Sequence, residues 1–130
     1  MRGVLKNEKG QSMVEFALIL PVLLLIVIGI IEFGFMFSDY LSLTNASRET
    51  VRFVSLGGSN TQAIERAKEV AVNLDPLKMN ISFDPVSEAR ERGDTVKVKI
   101  TYEYEFITPF IGTILGDSIT LEADAVMRVE

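Results

Sequence analysis

Apolar residues run unbroken from Phe16 to Ile31, and the hydrophobic pattern changes period twice after that run. A helix rises about 1.5 Å per residue and a bilayer's hydrocarbon core is about 30 Å thick, so the run alone falls short of a span. Met13 and Val14 before it, or the aromatics from Phe33 to Phe37 after it, complete one. Beyond it, Tyr40, Leu43, Ser47, Val51 and Val54 follow at spacings of 3, 4, 4 and 3, with Arg48, Glu49 and Arg52 off the stripe. That spacing predicts a helix that leaves the membrane and continues with one apolar face. Gly57, Gly58, Ser59 and Asn60 break it. Ser59 and Gln62 then offer a capping box to a second helix, whose Ala63, Ile64, Ala67, Val70, Ala71 and Leu74 share a face and whose predicted end is Asp75-Pro76.

From Met79 the period drops to 2. Met79, Ile81 and Phe83 alternate with polar residues, a charged loop from Glu88 to Asp94 turns the chain, and the clearest strand follows. It places Val96, Val98, Ile100, Tyr102, Tyr104 and Phe106 on one face, and Thr95, Lys97, Lys99, Thr101, Glu103 and Glu105 on the other. Ile119, Leu121, Ala123, Ala125, Met127 and Val129 share one side of a last strand. The apolar connection from Ile107 to Gly116, which contains Pro109, reads as a loop folded over the core; with Phe110, Ile111, Ile114 and Leu115 exposed it would instead form a patch suited to protein contact or a membrane surface. The predicted fold class is α+β: a long N-terminal helix, a second short helix and a small antiparallel sheet of about three strands, its apolar face covered by helix.

Composition narrows the function. With about 40 of the 130 residues in leader and membrane, about 90 remain for one small domain. The net charge of −5 argues against nucleic acid, which needs a clustered basic surface. The chain has no cysteine and no histidine, so no thiolate or imidazole metal site is available and the commonest general base is missing. Glu103 and Glu105 share a strand face, but charges on a wet face are commonplace and no nucleophile pattern accompanies them. The chain reads as a non-enzyme, without cofactor or metal.

Arg2, Lys6 and Lys9 against Glu8 keep the N-terminus cytoplasmic, giving a single-pass, N-in, C-out topology in the cytoplasmic membrane. After Ile31 come Glu32, Phe33, Gly34 and Phe35 rather than a small-residue cleavage site, so the apolar run is retained. Glu15, at the start of that run, is costly in a membrane and calls for a partner.

Gly10, then Gln11-Ser12-Met13-Val14, then Glu15 and the apolar run form one constellation. It resembles the class III signal sequence of type IV pilins, which a prepilin peptidase cuts after the glycine. That resemblance implies a scissile Gly10-Gln11 bond and makes Glu15 the fifth residue of the product. A carboxylate at that position can neutralise the new ammonium of a neighbouring subunit, and in low dielectric the pair counts for more than in water.

The stretch QSMVEFALILPVLL, with Pro21 inside the span, is similar to the start of TadE-like proteins, minor pilins or pseudopilins of the tight-adherence (Tad, Flp pilus) system. ASRETVR at Ala46 to Arg52 and LEADAVMRVE at Leu121 to Glu130 extend the similarity, whereas Gly57 to Asp94 carries nothing specific to the family. Phe16 stands where the major Flp pilins usually have tyrosine, and those pilins are much shorter. The resemblance implies a type IV pilin-like fold and a pilus component active in biogenesis and surface adhesion. Its implied partners are a prepilin peptidase, other pilins or pseudopilins, and an inner-membrane assembly platform, with an extracellular pilus as a further location.

The expected segments are a cytoplasmic leader at 1–10, a transmembrane helix at 11–37, an amphipathic extension at 38–58 and an extracytoplasmic domain at 59–130. Pro21 is a candidate helix bend, equally explained by the frequency of proline in membrane helices. Glu32, Arg48, Glu49 and Arg52 are candidate inter-helix or domain contacts; Glu32 also reads as an interfacial residue, and Glu49 with Arg52 as an ordinary i, i+3 surface pair. The alternative reading is a single-span anchored domain that binds or senses something outside the cell, neither processed nor polymerised.

Overall fold

The computed structural model describes residues 8–130. Residues 1–7 of the expected leader, Arg2 and Lys6 among them, lie outside the described residues. Helix α1 (Glu8–Ser55) is unbroken for 48 residues, a rod about 72 Å long. Its most apolar stretch has no buried residue, whereas its C-terminal part is buried at Leu43, Ala46, Ser47, Thr50, Val51, Val54 and Ser55. One helix thus serves as both bare apolar rod and wall of a core.

The packed face is the predicted one with a shifted centre. It runs through Glu32, Met36, Asp39, Leu43, Ala46, Thr50 and Val54, at spacings of 4, 3, 4, 3, 4 and 4. Tyr40 lies on the flank of this stripe and is exposed, contrary to the expectation that it faces the core. Small residues at the centre of the contact admit close approach. The hydroxyls of Ser47 and Thr50 are satisfied within the helix, donating to the carbonyls of Thr44 and Ala46.

Gly57, at φ +96°, ends the helix. Its N–H reaches the Val54 carbonyl and the Gly58 N–H reaches that of Phe53, the paired bonds of a Schellman cap. Helix α2 (Asn60–Val70) starts on Ser59, whose side chain accepts from the Gln62 N–H. It stops at Val70, short of the predicted Asp75-Pro76. Ala71 to Leu74 turn instead, which buries Leu74 and delivers the chain to a 3-10 turn at Pro76–Lys78 capped by Asp75.

Strands β1 (Met79–Asp84), β2 (Thr95–Glu105) and β3 (Ser118–Arg128) form an antiparallel sheet in the order β1-β2-β3. The register sets Phe83 opposite Val98, Ile81 opposite Ile100, and Ile100 opposite Ala123, so the alternating apolar residues share one face. That face packs on α1, chiefly through β2 and β3, and α2 packs beside it on α1. The architecture is the expected α+β arrangement.

One element departs from expectation. The connection after β2 is a helix, α3 (Pro109–Leu115), and not a loop over the core. Thr108 at the N-cap position and Pro109 in the first turn start it. Phe110, Ile114 and Leu115 are exposed, so α3 leaves most of its apolar surface outward.

Candidate functional site

The N-terminal end of α1 carries the residues singled out for processing and assembly. Gly10 and Gln11 lie inside the helix, which begins at Glu8, so the peptide bond between them is helical. Glu15 is exposed one turn further on, and its Oε1 accepts from the Gln11 side-chain amide at 3.2 Å. Phe16, Leu18, Ile19, Val22 and Leu23 surround it with exposed apolar surface. Pro21 sits within the continuous helix.

Glu32 is different in kind. It is 4% exposed, and its carboxylate is the convergence point of four donors from the far side of the chain. Oε1 accepts from the Tyr104 hydroxyl at 2.7 Å and from the Ile107 N–H at 3.0 Å. Oε2 accepts from the Thr108 N–H at 3.0 Å and from the Thr108 hydroxyl at 2.8 Å. The carboxylate therefore caps the segment that opens α3 and fastens it to α1. Hydrogen bonds to a charged group contribute about 1.5–3 kcal/mol each, roughly twice a neutral one.

Tyr104 is held by more than this bond. Its ring meets Phe106 edge to face, with centroids 5.8 Å apart. Burial, and then the hydrogen bond to the Glu32 carboxylate, push its phenol well above the ordinary value of 10.0. Asp39, two turns above Glu32 on the same face, accepts from the Asn73 amide, and burial raises its carboxyl above the usual range.

The remaining candidates separate. Glu49 pairs with Arg66 of α2 at 3.2 Å, so its structural partner lies on the neighbouring helix and not at Arg52. Arg66 also reaches Glu69 at 3.6 Å. Arg48 and Arg52 are exposed beside Asn45 and Glu49, in a shallow depression bordered by Val70 and Met127. On the wet face of the sheet Lys97 pairs with Asp124 and Lys99 with Glu122, both at 3.0 Å. Glu103 accepts from Ser118, and Glu105 pairs with Lys78. Among the described residues no cluster of three or more His, Cys, Asp or Glu could hold a metal ion.

Sequence reasoning named Glu32 but not its partners. The signal for them was present: the packed stripe of α1 extends backwards through Met36 to Glu32, and Thr108-Pro109 marks a helix start. A groove of about 410 Å³ runs between α1 and α3, lined among others by Leu25, Ile28, Gly29, Phe110, Ile114 and Leu115.

Helix α1 is long and apolar enough to cross a membrane, and its apolar surface is bare. Residues 10–52 match the family model for TadE-like protein. The match covers about a third of the chain, starts at Gly10 and ends at Arg52, three residues before α1 does. The segment similar to TadE-like protein is thus the helix itself. No curated protein and no solved structure matches the chain.

Proposed function

We propose that this TadE-like chain is a structural component of a Tad-type pilus, a minor pilin or pseudopilin that is cut by a prepilin peptidase after Gly10 and contributes to pilus biogenesis and surface adhesion. The observation that carries the proposal is the bare apolar half of α1, over which the TadE-like match begins at Gly10. Such a surface needs lipid before assembly and neighbouring helices after it.

In this reading the chain enters the cytoplasmic membrane as a single-pass protein, N-in and C-out. The peptidase removes residues 1–10 and leaves an ammonium at Gln11. Glu15 then receives a neighbour's ammonium in the low-dielectric interior of the bundle, which fixes the axial register between subunits. Pro21 supplies a point of bending where the helix has lost one backbone hydrogen bond. Other pilins or pseudopilins and an inner-membrane platform are the partners, and the sheet is carried outside.

N-terminal sequencing of the protein from cells that contain the matching peptidase tests the processing step. A mature chain starting at Gln11 is expected; one starting at Met1 overturns it. Glu15→Ala is expected to be cut normally yet to be missing from sheared filaments, and normal incorporation would remove Glu15 from the mechanism.

A further inference from the structure

We propose that α3 is immersed in the outer leaflet of the membrane, with lipid acyl chains filling the groove between it and α1. The inference rests on the membrane-spanning reading of α1 and adds a second membrane-embedded element, taken from the far end of the sequence.

Depth is the first argument. A span that starts with Glu15 near the cytoplasmic headgroups needs about 20 residues to cross about 30 Å, and so ends near Phe35. Leu25, Ile28, Gly29 and Glu32 lie inside that interval, and they line the same groove as Phe110 and Ile114. Alongside these residues, α3 stands at the level of the span's outer half.

The chemistry of the segment fits that position. Ile107 to Gly116 contains no charged residue, although Glu105 and Asp117 flank it closely. Phe110, Ile114 and Leu115 are 53%, 67% and 68% exposed, continuous with the bare surface of α1 across the groove. In hydrocarbon every polar group must be satisfied internally. The Ile107 and Thr108 N–H groups and the Thr108 hydroxyl all donate to Glu32, and the Thr113 hydroxyl donates to the Pro109 carbonyl at 2.9 Å. This closure lets the segment do without water. It also gives Glu32, an acid within the span, the partners that a membrane position demands.

The chain contains no tryptophan, so single substitutions report position directly. Leu23→Trp reads the span; Phe110→Trp and Ile114→Trp read α3 at two positions. Each full-length variant is reconstituted in phosphatidylcholine vesicles with and without bromine on the acyl chains, and its helicity is compared with that of the unsubstituted protein. Blue-shifted emission, lost in brominated lipid for all three, is the expected result. Quenching of Leu23→Trp with water-like emission from both α3 positions would overturn immersion while leaving the span intact. Blue-shifted but unquenched emission from α3 would also overturn it, since protein and not lipid would then cover the face. If Leu23→Trp is unquenched as well, the spanning reading fails and the inference with it.

Discussion

The Tyr104 hydroxyl donates to Glu32 Oε1 at 2.7 Å, joining positions 72 apart in the chain. This bond belongs to a set of four through which the domain holds a carboxylate of the apolar helix, and the set has no cation in it. The link is therefore made of directional hydrogen bonds and depends on geometry more than on charge pairing. Glu32→Ala removes the common acceptor and leaves the buried Tyr104 hydroxyl and two N–H groups without it. The expected loss is about 3 kcal/mol or more, since each buried unsatisfied group costs about 1–3 kcal/mol. Thermal unfolding of the full chain in detergent measures it, and hydrogen exchange should speed up at Ile107 and Thr108 before the sheet is affected.

Tyr104 gives the same link a pH signature. Its folded-state value lies above the ordinary 10.0, so above pH 10 the unfolded chain releases the phenolic proton while the folded chain keeps it. The native state then binds more protons, and stability falls as pH rises. The contribution is fully present below pH 10 and is lost on the alkaline side. Tyr104→Phe should be less stable at neutral pH and should show a shallower alkaline decline; parallel pH profiles for the two proteins would refute this.

The Glu49–Arg66 pair should matter far less. Both side chains are more than a third exposed, and such pairs contribute about 0–1 kcal/mol after solvent screening. A double-mutant cycle of Glu49→Ala and Arg66→Ala is expected to give a coupling below about 1 kcal/mol that fades with added salt. A larger, salt-insensitive coupling would mean that α2 is fastened to α1 by charge and not by Ala63 and Ala67, which are fully buried there.

The helix end offers a backbone test. Gly57→Ala places a side chain at φ +96°, with open space around it, so the cost is conformational and about 1 kcal/mol. Gly58→Ala acts differently, because its added methyl would run into the Phe53 ring. Calorimetry should therefore find Gly58→Ala the more damaging of the two unless Phe53→Leu accompanies it.

Periodicity made most of this fold legible. The alternation from Val96 to Phe106 and the Gly57-Gly58-Ser59 break each place an element within a few residues. Two features resisted, each for its own physical reason. Ile107 to Gly116 is apolar almost throughout, so it shows no amphipathic period, and only Thr108-Pro109 hints at a helix. Tyr40 fits the heptad-like spacing, but the sheet decides where the stripe is covered, and no local pattern encodes the sheet's position. The candidate site divides similarly. Gly10 and Glu15 stand out as candidates because they fall within one short stretch of sequence. The donors of Glu32 do not, because chain topology alone brings Tyr104, Ile107 and Thr108 to it.

The unbroken course of α1 has a mechanical outcome. Beyond Pro21 the helix runs to Ser55 without interruption, so a twist applied above that residue is carried to the sheet. Each residue of helix corresponds to about 100° of rotation and 1.5 Å of rise. Inserting one residue between Pro21 and Glu32 would swing the outer face of the domain by roughly that angle relative to the apolar end. Which flank the domain presents to its surroundings is in this way a property of helical phase, written in residue count.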